Sequence, residues 1–301
     1  MNIKCRHGCA AVLVLPLLLS GCSLLPTTRK LPIPKAPMIE LTVAPDDLVA
    51  HLNKRWAGLE NLTAGVEMQA SLIKSKEGMA KDLPTFRGNI LMRKPEMLRV
   101  YGRLPVIGTR AFDMVSDGKE FTLWIPSKNV VYRGNKFLRK KSVNQLENLR
   151  PGFFLDALIV RGLEPDDLYA VVTDMETVED AARKHLYNIP EYVLTISRSK
   201  PGSRQLTPVR VITFRRDDLL PYQQDIYDSE GNLETHVVYT GYQDFGTSKY
   251  PTTVVIKRPL EEVEVVLTID KVVENQKLTD DEWHKQFELK PTEGTPIQKL
   301  E

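Results

Sequence analysis

Val66-Glu67-Met68-Gln69-Ala70-Ser71-Leu72 decides the fold, because its apolar and polar residues alternate strictly. In a strand, successive side chains point to opposite faces, so this run has one face for a core and one for water. The same period continues on either side. Phe86, Ile90 and Met92, then Leu98 and Val100, Phe112 and Met114, and Phe121, Leu123 and Ile125 mark successive strands, and later ones centre near Val171, Leu194, Val211, Ile226, Val237, Val255 and Val265. Turn chemistry separates them at Lys94-Pro95, Asp117-Gly118, Pro126-Ser127 and Glu230-Gly231-Asn232. The pattern predicts a mainly β chain: one curled antiparallel sheet of about 11–12 strands, an open or half β-barrel.

Helical spacing enters in two places. Leu48, Leu52, Trp56 and Leu59 follow Asp46 and Asp47, which are expected to cap the helix. Between about 142 and 162 the strands are interrupted by Val143–Leu149 and by Phe153-Phe154-Leu155-Asp156-Ala157-Leu158-Ile159-Val160. A curled sheet covered by one short, very apolar helix suggests a lid over an apolar cavity. No internal repeat is visible, and the last dozen residues read as a polar tail.

The N-terminus has the layout of a secretory signal. Lys4 and Arg6 precede the apolar run Ala10–Leu19, which is shorter than the roughly 20 residues a spanning helix needs, and Ser20-Gly21-Cys22 follows. Leu19-Ser20-Gly21-Cys22 resembles the bacterial lipobox, which implies cleavage before Cys22 and a diacylglycerol on its sulfur. The bland alternative is an ordinary secretory signal ending in cysteine. Ser23 stands where an aspartate would signal inner-membrane retention, so the expected location is the outer membrane, lipid-anchored, with the domain facing the periplasm. Cys5, Cys9 and Cys22 are the only cysteines, so residues 23–301 hold no thiol for a disulfide or a cysteine-bound metal. Loss of residues 1–21 removes Lys4 and Arg6 and takes the formal charge from +2 to zero, which leaves no footprint for nucleic acid. Residues 22–45, with Pro26, Pro32, Pro34, Pro37 and Pro45, read as a tether. The domain organisation is therefore signal 1–21, tether 22–45, domain 46–290 and tail 291–301.

Catalytic motifs are absent. His51, His185, His236 and His284 lie at no metal-ligand spacing, and there is no His-Glu-x-x-His helix, Gly-x-Ser-x-Gly elbow or phosphate-binding glycine loop. The Asp-Asp pairs at 46, 166, 217 and 280 sit at element boundaries, where aspartate caps helices or makes turns. No enzyme activity, metal or cofactor is expected, although an active site that converges only in space leaves a hydrolase as the third reading.

Gly88-Asn89-Ile90-Leu91-Met92-Arg93-Lys94-Pro95, followed by Val115-Ser116-Asp117-Gly118-Lys119, resembles the LolA/LolB superfamily of periplasmic lipoprotein carriers and receptors. The likeness runs on through Trp124-Ile125-Pro126, Val131-Tyr132 and Pro151–Leu155, and more loosely through Gly241-Tyr242, Tyr250-Pro251 and Phe287–Pro291. It implies a half-barrel closed by helices over a cavity for acyl chains of a lipid or lipoprotein, delivered by a soluble periplasmic carrier. The expected lining is Met92, Leu98, Val100, Phe112, Met114, Leu123, Phe153, Phe154 and Leu158; the opposite strand phase, with Leu91 and Trp124, is the alternative. Lys94 stands where the soluble carriers hold the lid shut with an arginine, though lysine lacks that planar fork; the alternative is a solvated turn residue. Arg103-Leu104-Pro105-Val106-Ile107-Gly108 occupies the interval of the receptor's membrane-inserting loop, with Val106 and Ile107 at the tip or, alternatively, folded onto the domain. The segment 162–190 is extra to that pattern. The rival reading is an accessory envelope lipoprotein that uses the sheet to dock a protein.

Overall fold

A computed structural model describes residues 40–136, 150–180, 185–200, 202–246 and 248–300. The signal segment, Cys22, most of the tether and the helix expected over Val143–Leu149 lie outside these residues.

The chain is mainly β. Helix α1 (Pro45–Gly58) leads into β1 (Asn61–Lys74), β2 (Met79–Asp82), β3 (Phe86–Arg93), β4 (Met97–Arg103), β5 (Arg110–Ser116), β6 (Glu120–Ile125) and β7 (Val130–Asn135). Helix α2 (Gly152–Leu158) follows, then β8 (Asp167–Asp180), β9 (His185–Ser199), β10 (Leu206–Arg215), β11 (Pro221–Tyr227), β12 (Leu233–Phe245), β13 (Ser248–Arg258) and β14 (Val263–Glu274), with α3 (Asp280–Gln286) and β15 (Ile297–Leu300) at the end. All fifteen strands belong to one open sheet in the order β15-β7-β6-β5-β4-β3-β1-β14-β13-β12-β11-β10-β9-β8, with β2 paired to β1.

Three strands were beyond the expected dozen. Met79–Asp82 is fully exposed and has no alternation to read. Val130–Asn135 is short and carries Gly134 next to its last residue. Ile297–Leu300 lies in the stretch read as a polar tail and pairs with β7 in parallel, through Ile297–Val131 to Leu300–Gly134. Helix α3 was also not anticipated; its start is a capping box in which Thr279 and Glu282 exchange hydrogen bonds. At α1 the cap differs from expectation: Ala44 is the N-cap, Pro45 fills the first position, and Asp46 and Asp47 lie in the first turn, where carboxylates complement the helix dipole.

The registers build continuous apolar ladders on one face. Tyr132, Leu123, Met114, Val100, Ile90 and Ala64 lie side by side from β7 to β1. A second ladder runs from Ala70 through Val265, Ile256, Val237, Gln224, Ile212 and Leu194 to Val171. Both helices α1 and α2 cover this inner face: α1 puts Leu48, Val49 and Leu52 against Leu194, Ile196, Ile212 and Phe214, while α2 joins the core of β1, β3–β6 and β12–β14. Helix α3 lies on the outer face, where Arg93 reaches Asp280 at 2.8 Å and Arg99 reaches the Gln286 carbonyl at 2.6 Å.

Gly88 marks a close approach in the middle of this sheet. A Cβ there would sit 1.8 Å from the Tyr101 carbonyl oxygen, so β3 and β4 can lie at this distance only because residue 88 has no side chain.

Candidate functional site

The two ends of the meanders, β7 and β8, are consecutive in sequence but stand near opposite edges of the sheet. Their connection carries α2 back across the inner face. The helix is seven residues long and apolar almost throughout, with Phe153, Phe154, Ala157 and Leu158 buried. Phe153 and Phe154 stack at 4.1 Å between centroids.

All nine residues expected to line a cavity lie in one cluster: Met92, Leu98, Val100, Met114, Phe153, Phe154 and Leu158 are buried in it, and Phe112 and Leu123 pack against it. Leu91 and Trp124, the opposite phase, lie outside it. Leu91 is buried on the outer face that α3 crosses.

The hollow expected beneath the lid is filled. Next to α2 lie two small cavities, about 20 Å³ between Met92, Lys94, Leu155 and Ile159, and about 60 Å³ bounded by Leu52, Trp56, Leu158, Ile159, Tyr239 and Tyr242. Ligand pockets usually measure roughly 300–1,000 Å³, so these two cavities, as the described residues bound them, are each too small for an acyl chain with α2 in this position. Phe153 and Phe154 are both buried in the cluster beneath the helix, 5% and 9% exposed.

Polar contacts hold α2 on its far side, and none of them was anticipated. Gln224, 1% exposed and the one amide in the second ladder, donates from Nε2 to the Asp156 main-chain carbonyl at 2.8 Å and to the Tyr239 hydroxyl at 3.3 Å. Its Oε1 has no partner among the described residues. Burial pushes the Tyr239 phenol far above its ordinary range, which keeps its proton in place. Arg161 reaches Asp156 at 2.7 Å, and Arg210 donates to the carbonyls of Arg161 and Gly162, each at 2.8 Å, just beyond the helix. The available signal was the run Tyr222-Gln223-Gln224-Asp225-Ile226, where a polar residue falls on the inner phase.

Lys94 works elsewhere than expected. Its ammonium donates to the main-chain carbonyl of Trp56 and sits 4.0 Å from the centre of the Trp56 ring, so it fixes the end of α1 and not α2. A lysine one strand-end away from a helix C-terminus finds the last-turn carbonyls the nearest acceptors, and the Trp56 carbonyl takes its ammonium besides the Leu59 N–H. Val106 and Ile107 are 98% and 72% exposed, which removes the reading in which this loop folds back onto the domain.

The described residues hold no group of three or more histidine, cysteine, aspartate or glutamate side chains placed for a metal. One histidine–carboxylate pair, His236 Nδ1 and Asp225 Oδ1 at 2.6 Å, joins β11 and β12. Among the described residues, no helix is long and apolar enough to cross a membrane.

The fold is shared with a solved DUF1329 family protein. That protein, from Desulfovibrio piger, is 16% identical with a TM-score of 0.52, over 80% of this chain and 97% of its own. Solved structures that also match include a LolA superfamily protein from Nitrosomonas europaea, with 14% identity, a TM-score of 0.47, and coverage of 82% and 99%. A third is an outer membrane lipoprotein-sorting protein domain from Vibrio parahaemolyticus, with 13% identity, a TM-score of 0.46, and coverage of 80% and 96%. No family model and no curated protein matches the sequence.

Proposed function

We propose that this chain is a lipoprotein anchored in the outer membrane through Cys22, which binds acyl chains of lipoproteins or other lipidic ligands on the inner face beneath α2. In this reading it receives cargo from a soluble periplasmic carrier and takes part in lipoprotein sorting or insertion. The observation that carries it is the pairing of continuous apolar ladders with one short apolar helix. Withdrawing Phe153, Phe154 and Leu158 costs roughly 5–9 kcal/mol, and about ten acyl methylenes at roughly 0.8 kcal/mol each offset it. A near balance of this size suits a protein that must both take up and release its ligand. The exposed pair Val106 and Ile107 supplies contact with the bilayer, and the reaction needs no covalent chemistry.

The filled interior favours a second reading, an accessory envelope lipoprotein that docks a protein partner. Displacement of a fluorescent apolar probe by a triacylated lipopeptide separates the two. The carrier reading expects probe uptake, competition at micromolar lipopeptide, and loss of both in Phe154→Asp or Leu158→Asp variants that keep a β-type circular dichroism spectrum. Absence of uptake by the folded wild type moves the assignment to docking.

A further inference from the structure

The strand directions gather several connections at one end of the sheet: the turn after Lys74 leading to β2, the β4–β5 hairpin, the β6–β7 turn and the β13–β14 turn. Val106, Ile107, Met79 and Leu260 project from this end, 98%, 72%, 55% and 43% exposed. Their strands are neighbours in the sheet order, so at about 4.8 Å per strand the tips lie within about 20 Å of each other. Lys74, Lys76, Lys81, Arg87, Arg103 and Lys128 lie at the same end, which also carries Glu261, Glu262 and Glu264 beside Leu260, with Glu261 paired to Arg258 at 3.0 Å and Glu264 to Lys257 at 3.7 Å. Lys76, Lys81, Arg103 and Lys128 form no ion pair among the described residues. Two of the nearby carboxylates are already matched, Glu67 by Arg87 and Glu77 by Lys74, each at 3.0 Å, and Asp82 accepts from the Ser71 hydroxyl at 2.7 Å.

We infer that this end of the sheet is a docking face for a bilayer with anionic headgroups: the four apolar side chains enter the interfacial layer, and Lys76, Lys81, Arg103 and Lys128 meet lipid phosphates around them. Only the Val106–Ile107 contact is shared with the proposed function; the charge preference and the tips at Met79 and Leu260 stand on their own. The N-terminus lies at the other end, and the tether is long enough to permit this orientation. Glu40 pairs with Arg216 at 2.6 Å, at the opposite end of the strands. A strand such as β10, ten residues long, spans about 33 Å, whereas the 18 residues that follow Cys22 up to Glu40 reach at most about 60 Å. A chain anchored at Cys22 can thus present its far end to the same bilayer.

Flotation of the chain without residues 1–22 tests this, using vesicles of phosphatidylcholine alone and of phosphatidylcholine mixed with phosphatidylglycerol. Binding is expected to be stronger on the mixed vesicles and to weaken with salt. The combined Lys76→Gln, Lys81→Gln and Arg103→Gln variant should bind the mixed vesicles about a hundredfold more weakly, and the Val106→Asp, Ile107→Asp variant should lose affinity for both. Equal binding to the two compositions, or unchanged binding by either folded variant, overturns the inference. Lipopeptide displacement on the same samples keeps it separate from the acyl-binding site: normal uptake with failed docking removes this face alone, and intact docking without uptake leaves it standing.

Discussion

Gln224 Nε2 meets the Asp156 carbonyl at 2.8 Å, so the amide of a central strand is spent on the main chain of a seven-residue helix. A buried amide in an otherwise apolar ladder is costly unless it is bonded, and this one bonds the element whose position decides whether the inner face is open.

Gln224→Leu removes that bond and the unpartnered Oε1 together, so the fold loses little. The loss falls on α2, whose amides from Phe153 to Leu158 should exchange with deuterated water several-fold faster than in the wild type, while β12–β14 stay protected. Hydrogen exchange read segment by segment checks this; unchanged exchange in α2 would mean that Arg210 and the phenylalanine stack hold the helix without Gln224.

Asp113, 2% exposed on the outer face, accepts from Arg99 at 2.7 and 3.0 Å and from Arg110 at 2.5 Å. Asp113→Ala leaves two guanidinium groups with no carboxylate between them and should cost about 3–5 kcal/mol. Arg99 also holds the Gln286 carbonyl, so α3 should loosen at lower urea than the rest. Trp283, 3% exposed on α3, reports that step by fluorescence.

Gly88→Ala forces β3 and β4 apart at the Tyr101 carbonyl and should destabilise the domain by about 1–3 kcal/mol, measured as a lower urea midpoint. The neighbouring Asn89→Ala change removes one hydrogen bond, from Tyr101 at 2.8 Å, and should cost less.

Asp117 accepts from the main-chain amides of Glu120 and Lys119 at 2.9 and 2.8 Å, and these bonds hold its carboxyl below the usual carboxylate range. The native value is depressed, so its contribution is present above the ordinary aspartate range and is lost as pH falls through the native value. Asp117→Asn should therefore lower the melting temperature at neutral pH and leave it closer to wild type in acid. A melting-temperature difference that stays constant from neutral to acid pH argues against a titrating role.

The strands, their inner phase and the apolar helix were legible because period two is a local property: each side chain's face follows from its neighbours in the chain. Met92, Leu98, Val100, Met114 and Leu123 fall in one cluster for that reason. Local pattern could not reveal β2 and β15, whose short polar runs become strands only because β1 and β7 offer unpaired edges. It also could not say whether the hollow is open, since that depends on how far Phe153 and Phe154 reach across a sheet whose curvature is a collective property.

The sequence by itself determined the β class, the buried phase and the position of α2, all of which follow from residue order and side-chain chemistry. Tertiary structure alone decided that Lys94 holds α1 and not α2, that Gln224 and Arg210 hold the helix, and that scattered apolar and basic residues share one end of the sheet. Those relationships join residues tens to well over a hundred positions apart, and their energies depend on distance and burial, which exist only once the chain has folded.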